Sequence, residues 1–210
     1  DMSGVYAAAS LWSEDWDRAA TVRETAASKF YTAIQGQLLP DGLQCELSPD
    51  YQGVFYASAV SLYNTANNFG TAGDLPADYM DILENGADAV VKMMTPAFTS
   101  PSFNDCGSPQ PVSSVMNSAA AIFPTRADFL WAKTKGAEGA PPTGATASQF
   151  MPYGGFAIMR TDWSPSASFL AFDVGPLGVG YHAHQDKLGF TLWKGGEELV
   201  FDDGGGQYDR

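Results

Sequence analysis

The stretch KGAEGAPPTGATASQ, residues 135–149, separates two halves of the chain with different hydrophobic periods. A helix repeats every 3.6 residues and a strand every two, so no single segment satisfies both patterns. Before the divide, residues 15–37 place Trp16, Ala19, Ala20, Val22, Ala26, Phe30 and Ile34 largely at spacings of three and four. A shorter helical run precedes it at 4–12. LLPDG at 38–42 stops the pattern, because Pro breaks a helix and Asp-Gly favours a turn. A new helix opens at Ser48-Pro49, with Ser as N-cap and Pro at the first helical position, and runs to Gly70. Another covers Pro76 to about Met94. Residues 95–112 read as a long loop, followed by short helices near 113–121 and 125–134.

After the divide the chain changes character. GGFAIMRT, SFLAFDVG, KLGFTLWK and EELVFDD are short, alternating or β-rich runs, and KGGEE between the last two signals a hairpin. The pattern predicts an α+β, multidomain chain: a helical part over 1–135, a linker over 136–150 and an antiparallel sheet over 151–210.

Composition narrows the function classes. Asp and Glu outnumber Lys and Arg by 24 to 11, and no basic stretch exists, which excludes a nucleic-acid partner. The net charge of −13 also repels a polyanion at long range, so binding one requires local cations or a metal. Apolar runs are short and interrupted, so no membrane span is expected. The two cysteines, Cys45 and Cys106, lack a C-x-x-C spacing; they are either one bridge in an oxidising compartment or two buried thiols. The chain opens without an initiator Met or leader and stops just past a Gly-rich turn, so it reads as a piece of a longer protein. Nothing in it sets an oligomeric state.

Both histidines fall in HAHQDKLGF, residues 182–190. If 182–186 is extended, His182, His184 and Asp186 share one face. Two imidazoles on one face can bind Zn²⁺, which takes three or four N, O or S ligands, and Asp202 and Asp203 offer oxygens. A plain hairpin centred on Gly195-Gly196 sets 202 opposite about 189, so residues 178–185 would have to fold back over the sheet. The same H-x-H spacing equally describes polar side chains at a strand entrance with no metal. Upstream, GPLGVG supplies freedom at positive φ, as a loop that places something requires.

RTDW at 160–163, with FLAFDVGPLGVGYHAHQDKLGFTLWKGGEELVFDDGGGQY after it, resembles the core signature of the heparinase II/III-like polysaccharide lyases. LLPDGLQCELSPDYQGVFY resembles that family's helical domain. The resemblance implies an incomplete α/α toroid followed by an antiparallel β-sandwich, of which this chain holds the later helices and first strands. It implies β-elimination on a uronic-acid glycan, of glycosaminoglycan or alginate type, by Tyr and His acid–base chemistry with a structural zinc. A site of that kind must neutralise a carboxylate, remove the C5 proton and protonate the leaving oxygen.

Carried over by position, His182 is the catalytic histidine and His184 a zinc ligand; Asp202, 18 positions after His184, is the second ligand. A third zinc-binding His is expected beyond Arg210, and a carboxylate-neutralising Asn before Asp1. Two tyrosines compete for the helical-domain role: Tyr56, counting from the Asp-Gly turn, and Tyr51, from the ELSPxY pattern. Gln52 stands where many relatives carry His. Arg160 and Tyr208 are the candidate substrate contacts, although a structural salt bridge suits Arg160 better, and an exposed strand position suits Lys187. The implied partner is an anionic polysaccharide, and the implied location periplasmic or secreted. The competing readings are a non-catalytic glycan-binding relative and a zinc-dependent hydrolase.

Overall fold

The computed structural model describes residues 2–143, 147–180, 182, 184, 185 and 187–205. Six α-helices come first: α1 Met2–Leu11, α2 Ala19–Gln37, α3 Pro49–Asn68, α4 Tyr79–Met93, α5 Ser113–Ile122 and α6 Ala127–Lys133. Five strands follow: β1 Gln149–Met151, β2 Phe156–Arg160, β3 Phe169–Asp173, β4 Phe190–Lys194 and β5 Glu197–Val200. They form one antiparallel sheet in chain order. Among the described residues no helix is long and apolar enough to cross a membrane.

The helices pack through their apolar stripes. Phe30 and Ile34 of α2, Phe55, Tyr56 and Leu62 of α3, Leu83 of α4, Met116 of α5 and Phe129 of α6 share one buried cluster. The inner face of the sheet forms a second cluster: Met151, Phe156, Ile158, Phe169, Ala171 and Trp193 pack on Leu43, Leu47, Ala89, Met93 and Phe103. Alternation then sends Phe150, Met159 and Phe190 to the other face, where they are exposed. The β4–β5 hairpin turns at Gly195 and Gly196, whose φ of 64° and 88° suit a two-residue turn, and the expected hairpin is present with one bulge beside Leu192.

The sheet is locked to the helical part at two places. Gly154 packs so closely on the helical part that a Cβ there would lie 2.2 Å from Leu43 Cδ1. The Asp41 carboxylate accepts hydrogen bonds from the amides of Tyr153 and Gly154, at 2.8 and 2.9 Å. The DG turn that ends α2 thus also fixes the first β-turn. β1 lies in the stretch that its Ser, Thr and Gly content marked as linker; pairing with β2, at Phe150↔Ala157 and Met151↔Phe156, overrides local composition.

Candidate active site

The first turn of α3 supplies the tyrosine. Pro49 opens the helix, but Ser48 does not cap it. Its hydroxyl instead donates 2.7 Å to the Asp105 carbonyl and so ties the helix start to the loop after α4. Tyr51 projects from this turn, and its ring stacks on the His182 imidazole with centroids 3.8 Å apart and planes 21° apart. Tyr56 lies five residues on, about 140° round the helix, and faces the core at 1% exposure. Its hydroxyl finds no hydrogen-bond partner, and burial raises its pKa well above the ordinary phenol value. The structure therefore brings Tyr51 to His182 and sends Tyr56, the other tyrosine carried over from the family pattern, into the helical core.

The histidines sit on the long β3–β4 connection, not on a strand. β4 begins only at Phe190, so His182, His184 and Gln185 belong to no strand, unlike the extended segment that the H-x-H spacing suggested. The connection is pinched shut at its base by Asp173. Its backbone pairs with Gly189 and Leu188, one carboxylate oxygen accepts from Gly175 N at 3.0 Å, and the other from Lys187 Nζ at 2.6 Å. Asp173 is 2% exposed, so this ion pair is largely withdrawn from water; Lys187 is a clamp on the loop, not an exposed strand residue.

Beyond the pinch the connection folds back onto the helical part. Val179 N donates to Cys45 O at 3.0 Å, and Asp105 N donates to His182 O at 3.2 Å. His184 N donates to Asn104 Oδ1 at 3.1 Å. Gly178 packs against the Glu46 backbone, where a Cβ would come within 2.9 Å of the carbonyl. These contacts supply the fold-back that a plain hairpin lacks.

The His182 ring lies between two carboxylates. Nδ1 pairs with Glu46 Oε2 on one side, and Nε2 is 3.9 Å from Asp105 Oδ2 on the other, beyond hydrogen-bond reach. Burial, then Asp105, Glu46 and Asp50 in turn, raise the Tyr51 pKa, so the phenol holds its proton. A recess of about 240 Å³ opens between α2 and α3, lined by Ile34, Gln37, Gln44, Glu46, Tyr51 and Ser58. A larger cavity of about 520 Å³ on the far side of the α3 start touches neither Tyr51 nor His182.

Asp202 follows β5, and its Oδ1 accepts from Gly204 N at 2.9 Å. Gly205 N then donates to Cys106 O at 2.7 Å. The segments bearing His184 and Asp202 therefore dock on the same platform, Asn104–Cys106. Among the described residues, however, no three His, Cys, Asp or Glu side chains converge on one point as a zinc site needs. The described side chains do not by themselves make such a centre. Asp186 and Tyr208 lie outside the described residues.

Arg160, the candidate substrate contact, lies inside the fold and does not line the recess. It is 9% exposed, and its Nη2 donates to the carbonyls of Lys92 and Met94, both at 2.9 Å. The guanidinium stacks on Trp163 and Phe169, with its carbon 4.0 and 4.8 Å from the ring centroids. Two helix-end carbonyls and two ring faces replace part of the water it loses, while Nε is buried with no hydrogen-bond partner; Arg160 thus fastens β2 to the end of α4 without the expected salt bridge. Gln52 is likewise structural: its amide accepts from Gln44 N and donates to the Gly42 and Gly86 carbonyls. The side chain at 52 points into the fold, so replacing His there leaves the recess unchanged. Cys45 and Cys106 are free thiols; Cys106 is buried beside Asp50, and burial pushes it up to about 12.

Glu46, Asp105 and Asn104 carry no motif signal, yet they hold the two histidines. Glu46 lies inside the quoted ELSPDY stretch, whose Glu alone hinted at it.

Comparison with known proteins places this geometry. A model for the heparinase II/III N-terminus matches residues 1–131, and one for the heparinase II/III-like C-terminal region matches 143–210. A heparin-sulfate lyase from Pedobacter heparinus is 27% identical over 184 residues, covering 87% of this chain and 28% of that protein. One from Bacteroides stercoris is 26% identical, covering 90% and 28%. The chain thus spans under a third of the length of these relatives. A crystal structure of heparan sulfate lyase HepC from Pedobacter heparinus superposes with a TM-score of 0.86 at 25% identity, covering 97% of this chain and 32% of that one. A mutant of it gives 0.89, with 100% and 32% covered. The helices followed by a five-stranded antiparallel sheet match part of that fold, and the chain belongs to the heparinase II/III family.

Proposed function

We propose that this chain forms part of a polysaccharide lyase that cleaves a uronate-containing glycosaminoglycan by β-elimination, with His182 as base and Tyr51 as acid. The Tyr51–His182 stack at the edge of the recess carries this reading, since it pairs a neutral phenol with an imidazole at one point on an open surface. In the step, the C5 proton passes to the imidazole and the C–H electron pair forms the C4–C5 double bond. The C4–O bond breaks with its electrons on oxygen, and the Tyr51 phenol protonates that oxygen. The resulting phenolate and imidazolium return to neutral by passing one proton from ring to ring or through solvent. Both curated relatives bear the name heparin-sulfate lyase, which supports a glycosaminoglycan over alginate. A polymeric substrate of this kind supports a periplasmic or secreted location.

The helices belong, on this reading, to an α/α toroid and the sheet to one layer of a β-sandwich. The exposed apolar row of Phe150, Met159 and Phe190 supports the second point, because a sandwich layer buries both faces. The test of the activity is ultraviolet absorbance of the product. Elimination leaves a double bond conjugated to the carboxylate, whereas hydrolysis gives reducing ends without that absorbance. Reducing ends alone from the intact protein would overturn the reading.

Two further outcomes follow from the site. An acid works only while protonated, and the Tyr51 pKa lies above its ordinary 10.0. The alkaline limb of the kcat profile is therefore expected above pH 10 where the protein stays folded, and Asp105→Asn, which removes a carboxylate raising that pKa, should draw the limb down. An unmoved limb would assign it to another group. For the metal, His184 and Asp202 are proposed as two zinc ligands, completed by groups outside the described residues, and no step of the elimination passes through it. His184→Ala should lower the zinc content of the intact protein, measured by elemental analysis, while His182→Ala keeps it. Equal loss in both variants would cancel this division of roles.

A further inference from the structure

The surroundings of His182 give its two ring nitrogens different partners. Nδ1 meets Glu46 Oε2, whereas Nε2 has Asp105 Oδ2 at 3.9 Å. A carboxylate accepts hydrogen bonds and donates none, so a ring nitrogen bonded to it must carry the proton. The Glu46 contact therefore selects the Nδ1–H form of the neutral ring and leaves the lone pair on Nε2.

Glu46 is itself held in place from three directions. Its amide donates to Gln44 Oε1 at 2.9 Å. Cys45 O, one residue before it, accepts from Val179 N of the histidine loop, and Gly178 and Gly180 of that loop pack on its backbone and side chain. The loop that carries the imidazole is thus fastened to the segment that carries its partner. Both side chains keep some contact with water, at 28% and 23% exposure, and Glu46 lines the recess beside Tyr51. On the other faces of the ring stand Tyr51, stacked, and Asp105, whose own amide holds the His182 carbonyl.

We propose that Glu46 is a positioning residue for the elimination: it accepts a hydrogen bond from Nδ1–H of His182, fixes the ring plane against Tyr51, and so presents a bare Nε2 to the substrate. This rests on the lyase reading, in which His182 is the base. Glu46 touches neither the proton removed nor the leaving oxygen; it acts through the imidazole alone.

The substitution that tests this is Glu46→Gln beside Glu46→Ala, in the intact protein. A glutamine amide fits the same space but can donate to Nδ1. That would favour the opposite tautomer, with the proton on Nε2 and no base facing the substrate. Alanine leaves the ring without a partner and the tautomers mixed. The expected order is therefore inverted relative to a packing role: Glu46→Gln loses roughly 10²-fold in kcat with KM little changed, and Glu46→Ala loses less. Glu46→Asp, which restores a carboxylate acceptor, should recover part of the rate. The ¹⁵N shifts of the His182 ring, assigned with His182→Ala and read where the ring is neutral, should report Nδ1–H in the wild type and a shift toward Nε2–H in Glu46→Gln. An active wild type whose Glu46→Gln variant matches or exceeds Glu46→Ala in kcat, or keeps the wild-type tautomer, would overturn the proposal. A wild type without unsaturated product would instead overturn the lyase reading, and the ring spectrum would still decide whether Glu46 sets the tautomer.

Discussion

Tyr51→Phe is expected to lower the rate of unsaturated-product formation by about 10²–10⁴-fold, the usual contribution of a positioned general acid, while Tyr56→Phe leaves it nearly unchanged. The two tyrosines are five residues apart on one helix, but their environments are opposite. Tyr51 stacks on His182 beside the recess and keeps its ring there without its hydroxyl, so the phenylalanine variant should bind glycan with little change in KM. Tyr56 is 1% exposed, and its hydroxyl is buried with no partner. Removing that hydroxyl takes away a group that lost its water without gaining a bond, so Tyr56→Phe should keep or raise stability, by about 1 kcal/mol at most. Rate assays at saturating substrate, with thermal melts of both variants, separate the two cases. A large rate loss in Tyr56→Phe with a small one in Tyr51→Phe would return the acid to Tyr56 and require α3 to turn in the substrate complex.

The contrast shows why one tyrosine could not be chosen from sequence. Asp41 and the ELSPxY pattern both point into α3, and spacing alone does not say which face of the helix meets a loop more than 120 residues later. The helices themselves were legible: on α2, for example, Ala19, Ala26, Phe30 and Ile34 keep helical spacing and all become buried. The hairpin was legible for a similar reason: two adjacent glycines between alternating runs admit few other turns.

What escaped was set by long-range contacts. β1 forms in a segment of linker composition, because the neighbouring strand supplies its partners. The H-x-H pair reads as a strand edge by alternation, yet Asp173 and Lys187 close the connection below it and turn it into a docked loop. Glu46 and His182 are 136 residues apart, and Asn104 and His184 are 80 apart. Asn104 belongs to no spacing pattern, and Glu46, although it opens the ELSPxY pattern, meets its partner too far along the chain for spacing to announce the pair. For Arg160 the sequence offered a substrate contact or a structural salt bridge; its actual partners, helix-end carbonyls and aromatic faces, have no sequence pattern to announce them.

Asn104 carries the second large effect. It is 1% exposed and adopts a left-handed backbone, with φ of 54°. Its Nδ2 donates to Leu47 O at 3.0 Å, and its Oδ1 accepts from His184 N at 3.1 Å. One amide thus joins the segment leading into Tyr51 to the loop that carries both histidines. Asn104→Ala removes both bonds and puts a Cβ residue less suited than Asn in a left-handed conformation. The loss of the bonds to the Leu47 carbonyl and the His184 amide, with the backbone strain, is expected to cost about 3–5 kcal/mol of unfolding free energy. Asn104→Gly loses the same bonds without the strain, so it should recover about 1 kcal/mol of that loss. Denaturant unfolding of the three proteins measures both quantities. Activity should fall in both variants even at temperatures where each stays folded, because the amide that holds the histidine loop against α3 is gone in both. A cost below about 1 kcal/mol in Asn104→Ala, with activity intact, would mean that the loop is held by Asp105, Cys45 and the Asp173 clamp alone.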